Sequence, residues 1–150
     1  MMTKRNNLII GCGFLTIICN FIPSFLGIVY GYGAILLRWY FGFSLAGINW
    51  VSVWGFTLEH IFDIIFGLIV LGCGIIVLYL GLIEREYQEK RNYNTIIMIE
   101  FILIITTIIH TIIFYWESSL IYPMPIWIPI APIILILIGI YLIKTLYKAN

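Results

Sequence analysis

Charge is what this sequence has least of. Its 150 residues carry 7 acidic side chains, 8 basic ones and 2 histidines, so charged residues make up 10%. A typical soluble domain carries ~25%. So few charges cannot cover a water-facing surface, and an ordinary soluble fold is excluded. The formal net charge of +1 leaves no field of either sign that would recruit nucleic acid. Cysteine is also scarce: Cys12, Cys19 and Cys73 all lie in apolar runs, and no CxxC pair occurs. Cys12 and Cys19 share one helix face two turns apart, too far for a disulfide. They read as small apolar packing residues. No cleavable leader is expected either. Lys4 and Arg5 precede an apolar run, and "IIGC" before Cys12 loosely resembles a lipoprotein cleavage box. Only a few apolar residues separate the polar start from Cys12, short of the ~7–15 that such a signal needs. The first run therefore reads as a retained signal-anchor helix.

What is abundant is hydrophobicity, at 63% of residues. A membrane-spanning helix needs ~20 apolar residues. Four runs meet that length, at about 8–29, 61–83, 95–116 and 127–146. The segment 30–60, "YGYGAILLRWYFGFSLAGINWVSVWGFTLEH", is apolar enough to pass for a fifth. Charge decides its status. With the N-terminus inside and four crossings, Lys4, Arg5, Arg85, Lys90, Arg91, Lys144 and Lys148 all fall on the inner side, and Arg38 alone lies outside. That is the positive-inside bias. A fifth crossing would move "EREYQEKRNYN" and its three cations outside. The expectation is an all-α integral membrane protein of four transmembrane helices in a single domain, both termini cytoplasmic, with a large aromatic outer loop over 30–60 lying in or dipping into the interface.

Aromatic residues support the outer placement. Trp39, Tyr40, Phe41, Trp50 and Trp54 fall in the loop, and Tyr115, Trp116, Tyr122 and Trp127 flank the second outer connection. Trp and Tyr favour the headgroup level. Pro123, Pro125, Pro129 and Pro132 predict a stiff, extended lead into the last helix with a kink or late start near Pro132. Asn20 and Pro23 predict a bend in the first helix. Gly27 and Gly31, and then Gly67, Gly72, Gly74 and Gly81, are expected at helix contacts, where small residues let backbones approach in lipid. The Ile-rich, Ala-poor makeup is compatible with an AT-rich prokaryotic genome and a prokaryotic cell membrane.

The few ionisable residues within or beside the spans are the default pointers to a site. Glu100 lies ~7.5 Å into the third span and Lys144 at a similar depth in the fourth. A structural ion pair between them is expected, with a proton or ion relay, or snorkelling of either side chain, as alternatives. Thr107, Thr111 and Ser118 share the face of Glu100, and Thr106, His110 and Glu117 occupy an adjacent strip. Such a helix should turn its polar side to the bundle interior, a cavity or a partner protein. The outer polar cluster comprises Arg38, Glu59, His60, Asp63, His110 and Glu117. "TLEHIFD" reads as the acidic first turn of the second span, with Thr57 as N-cap. Arg38, the lone outer cation, is the partner expected for Glu59 or Asp63.

Two histidines on adjacent helices invite a bis-histidine haem, but counted depths of ~22 Å for His110 and ~36 Å for His60 separate them by about 13 Å. A metal site of Glu59, His60, Asp63 and His110 meets the same mismatch, and the alternative is a site completed by a partner chain. No cofactor is expected from this chain alone.

The layout resembles that of claudin-type four-helix proteins: a large first outer loop with tryptophans, then a short second one. "NWVSVWG" stands near the tryptophan motif of that family, although this loop has no cysteine pair and no clear sheet-forming signature. Glu84, Arg85, Tyr87 and Asn92, "ERxYxxxxN", are similar to the loop motif of the membrane glutathione-transferase-like eicosanoid enzymes, where it follows the first helix rather than the second. No site residue is carried over from either. The function expected is that of a small accessory or structural subunit of a multi-subunit membrane complex, packing on other membrane subunits or in a homo-oligomer through its polar third helix and apolar outer loop. One alternative is a small oligomeric channel or transporter lined by Glu100 and the threonines. Another is a redox or metal-binding subunit using the His60/His110 region.

Overall fold

A computed structural model describes residues 4–29, 34–40, 43–48, 51–56, 61–83, 89–118 and 126–148. They form four helices, α1 (Lys4–Ile18), α2 (Ile61–Leu82), α3 (Glu89–Ser118) and α4 (Ile130–Tyr147). They also form five strands: β1 (Phe25–Val29), β2 (Ala34–Arg38), β3 (Phe43–Ile48), β4 (Val51–Phe56) and β5 (Ile126–Pro129). Three helices are long and apolar enough to cross a membrane, over Ile61–Leu82, Tyr93–Trp116 and Ile130–Tyr147. The apolar part of α1 is shorter, Asn6–Ile18.

The helices close a ring in which α1 packs on α2, α2 on α3, α3 on α4 and α4 on α1. One core cluster joins Ile9 and Cys12 to Val77, Tyr93, Ile96, Leu142 and Leu146. It gathers the start of α1, the end of α2, the start of α3 and the end of α4. A second cluster joins Cys19, Tyr40, Phe66, Val70, Leu103, Ala131 and Leu135 at the opposite end. The start of α1, the end of α2, the start of α3 and the end of α4 thus share one end, and the sheet caps the other. Along α3 the buried residues are Tyr93, Ile96, Glu100, Leu103, Thr107, His110, Phe114 and Ser118. Their spacing of three and four is the heptad pattern of left-handed helix packing.

The α1–α2 contact depends on glycine. A Cβ on Gly13 would stand 2.6 Å from the backbone nitrogen of Leu78, and one on Gly74 would stand 2.8 Å from the Ile17 side chain and 3.2 Å from the Gly13 carbonyl. These are the close approaches that small residues permit. Gly72 has open space at its Cβ position and takes no part in this packing.

The all-α expectation needs correcting. The first apolar run is not one helix over 8–29. After Ile18 the backbone tightens: the amides of Asn20 and Phe21 bond the carbonyls of Ile17 and Ile18, three residues back. Pro23 has no amide hydrogen and holds its predecessor out of the helical region. The chain then runs extended through "FLGIV", whose β-branched and aromatic residues suit a strand. Gly27 is accordingly not a helix-contact residue. It lies in β1 beneath the Trp127 indole, whose atoms stand 2.7 to 3.0 Å from its Cβ position. Gly31 lies outside the described residues.

The 30–60 loop is likewise largely strand. The antiparallel sheet has the order β4-β3-β2-β1-β5, with Phe25 opposite Arg38, Leu37 opposite Leu45 and Ala46 opposite Val53. The fifth strand comes from the connection between α3 and α4 and pairs Gly27 with Trp127, which ties that connection to the segment between α1 and α2. The proline-rich lead is extended as expected. The last helix then starts at Ile130, with Pro132 inside its first turn, where a missing amide hydrogen costs no intrahelical bond.

Candidate functional site

The sheet meets the bundle at one buried polar centre. Asp63 projects from the first turn of α2, His110 from α3 and Arg38 from the end of β2. Arg38 donates from Nε to Asp63 Oδ2, and His110 Nε2 lies 2.7 Å from Asp63 Oδ1. Each carboxylate oxygen thus has one partner, and three elements far apart in sequence converge on one side chain. The side chains are 11% (Arg38), 3% (Asp63) and 6% (His110) exposed. The other ring nitrogen of His110, Nδ1, is buried and unpartnered.

Aromatic rings enclose the centre. Phe66 stacks on His110 with centroids 4.3 Å apart and planes 12° from parallel. Tyr40 and Phe25 lie 5.6 and 5.8 Å from the same ring. Phe114 stacks on Phe25 at 3.6 Å and faces the Arg38 guanidinium at 4.8 Å, a cation–π contact. Gly67 leaves room for Tyr40, whose Cβ would lie 2.9 Å from any Cβ placed there. The Tyr40 hydroxyl is buried without a partner. Burial, with Cys19 and Asp63 nearby, pushes its pKa above the usual tyrosine range, so it stays protonated. The Arg38 carbonyl is held by the amide and the hydroxyl of Ser24, each at 2.6 Å, and the Ser24 carbonyl accepts the Ile130 amide at 3.0 Å. The same few residues therefore tie β1, β2, α2, α3 and the start of α4.

Of the sequence candidates, Arg38, Asp63 and His110 come together. Asp63 is the acid that takes Arg38; Glu59, His60 and the proposed cap Thr57 lie outside the described residues. Glu117 lies on α3, near its end. The sequence alone assigns His110 no partner; the structure gives it Asp63. The depth of His110 was counted from Thr95, but α3 begins at Glu89. Counted from there, His110 and Asp63 both stand roughly 30 Å above the α2–α3 link.

The expected Glu100–Lys144 ion pair does not form. Glu100 is fully buried with neither carboxylate oxygen hydrogen-bonded, whereas Lys144 is exposed. The buried stripe of α4 runs through Leu135, Gly139, Leu142 and Leu146, and Lys144 falls between its members. On the polar face of α3, Glu100, Thr107, His110 and Ser118 are buried within the chain. The threonine hydroxyls bond back along the helix: Thr106 to the Ile102 carbonyl, Thr107 to that of Leu103 and Thr111 to that of Thr107. Among the described residues no three His, Cys, Asp or Glu side chains converge to hold a metal ion. The chain matches no known protein family, no curated protein and no solved structure.

Proposed function

We propose that the chain is a small subunit of a membrane complex, without catalytic activity of its own, that crosses the bilayer four times with both termini cytoplasmic and binds its neighbour through the outer sheet. The observation that carries this reading is the edge strand β4. It bonds β3 on one side and has no strand partner on the other among the described residues. Its sequence, "VSVWGF", contains neither charge nor proline, the devices by which natural proteins close an edge. The opposite edge, β5, ends on Pro129 and follows Pro125. An extended segment of a partner membrane protein would add beside β4 as a further strand, with main-chain hydrogen bonds supplying the affinity.

Two further features favour a binding subunit over a transporter or redox protein. The threonine hydroxyls serve their own helix instead of lining a path, and Asp63 occupies His110. For α1, 15 residues give ~22 Å of helix, against the ~30 Å of a bilayer core. The turn after Ile18, where Cys19 and Asn20 are buried, would supply the rest of that crossing. The cations near the termini and in the α2–α3 link then share the inner side, as the positive-inside bias requires, and composition favours a prokaryotic cell membrane.

Native mass spectrometry of a gentle membrane extract tests this. The chain is expected with a partner attached. Proline placed at Ser52 and, separately, at Val53 removes one inward-facing and one outward-facing amide hydrogen. One of the two variants should lose the partner while keeping the wild-type circular dichroism. A chain that runs unpartnered, or both variants retaining the partner, would overturn the proposal.

A further inference from the structure

The second polar group of the interior is Glu100, which the sheet-bearing centre does not use. It lies between the two apolar clusters, beside Ile96 of one and Leu103 of the other. Its side chain is 0% exposed, and both carboxyl oxygens are buried without a hydrogen-bond partner. From α4 it meets Gly139, where a Cβ would stand 3.1 Å from Oε2 and 2.9 Å from Cδ1 of Ile104. Glycine at that position leaves the carboxyl its space. The titratable groups that face it are the thiols of Cys12 on α1 and Cys73 on α2, neither a cation. The nearest basic residue on α4, Lys144, is exposed and turned away.

A charged carboxylate without a donor or counter-ion is not stable in such surroundings, because burial removes its hydration and nothing replaces it. Among the described residues no cluster of ligands stands here to hold a metal ion. The ligand that satisfies an isolated carboxylate in an apolar enclosure is a proton. We propose that Glu100 is an intramembrane proton-binding site, held as the carboxylic acid in the closed bundle. Release of the proton leaves a charge between two apolar clusters, so release is coupled to separation of α3 from α4 at Gly139. This inference is independent of the proposed subunit role, which rests on β4.

Infrared spectroscopy of the full chain in lipid vesicles, compared with Glu100→Gln, is the test. The wild type should show the carbonyl band of a protonated carboxyl, shifted in heavy water and bleached by rising pH along a one-proton curve. That band should be missing in Glu100→Gln, which should fold with unchanged or higher thermal stability. Absence of such a band from the difference between wild type and Glu100→Gln at every pH would overturn the proposal. Should Glu100→Gln fail to fold, the wild type decides through dicyclohexylcarbodiimide, which adds to protonated carboxyls in apolar surroundings. An adduct on Glu100 that fades as pH rises supports the site, and no adduct at any pH refutes it.

Discussion

Asp63 holds two partners, and that makes it the residue whose loss should be felt most. Removing its carboxylate leaves Arg38 and His110 buried with nothing to bond, and breaking a buried pair from one side costs about 3–5 kcal/mol. Asp63→Ala is therefore expected to lower stability by that amount in reversible denaturation in detergent. The double variant Arg38→Met with Asp63→Leu should recover part of the loss, because no uncompensated charge then remains inside. His110→Phe should cost less than Asp63→Ala, since a ring still stacks on Phe66 and the Arg38 pair survives. Which of these contacts was legible in the sequence follows from chemistry. Arg38 was the only cation on its side, so charge alone pointed it at an acid of the α2 entrance. His110 carried no such constraint. Its partner depended on where α3 begins, and that start lies in the charged residues before Thr95.

At the scale of the elements, the glycines separate packing from mere composition. A methyl on Gly13 would collide with the Leu78 backbone, which has no side-chain end to yield. Gly13→Ala is expected to cost roughly 1–3 kcal/mol, as overpacking does. Gly72→Ala meets nothing and should be neutral or stabilising by up to ~1 kcal/mol, because alanine is the better helix former. Thermal unfolding of the two variants side by side checks the contrast. Helices α2, α3 and α4 were readable because a long apolar run with no proline beyond its first turn has one satisfactory structure in lipid. The strands were not. Their sequences are apolar at most positions, so the alternation that marks a half-buried strand is absent, and the first run passes from helix to strand without a change of hydrophobicity. Pro23 was the visible signal. A proline within an apolar run predicts a bend; in the structure it marks the change from helix to extended chain.

For the whole molecule, the arrangement of the helices carries a topological expectation. Residue 3 and residue 149 should lie on one side of the membrane and residue 52 on the other. Single cysteines at these positions, in a background with Cys12, Cys19 and Cys73 replaced, should react with an impermeant thiol reagent from opposite faces of oriented vesicles. The sequence by itself determined that three of its runs are long and apolar enough to cross a membrane, and that the scarce cations gather near the termini and between the second and third of its four apolar runs, Arg38 apart. Those are consequences of composition and run length, which need no knowledge of what packs on what. Only the tertiary structure decided the rest. It placed Asp63 between Arg38 and His110, left Glu100 without the lysine expected for it, and drew both outer segments into one sheet. The physical reason is common to the three. Each depends on the rotation of a helix about its axis, or on the pairing of strands distant in sequence, and a uniformly apolar run marks neither its inner face nor its neighbours.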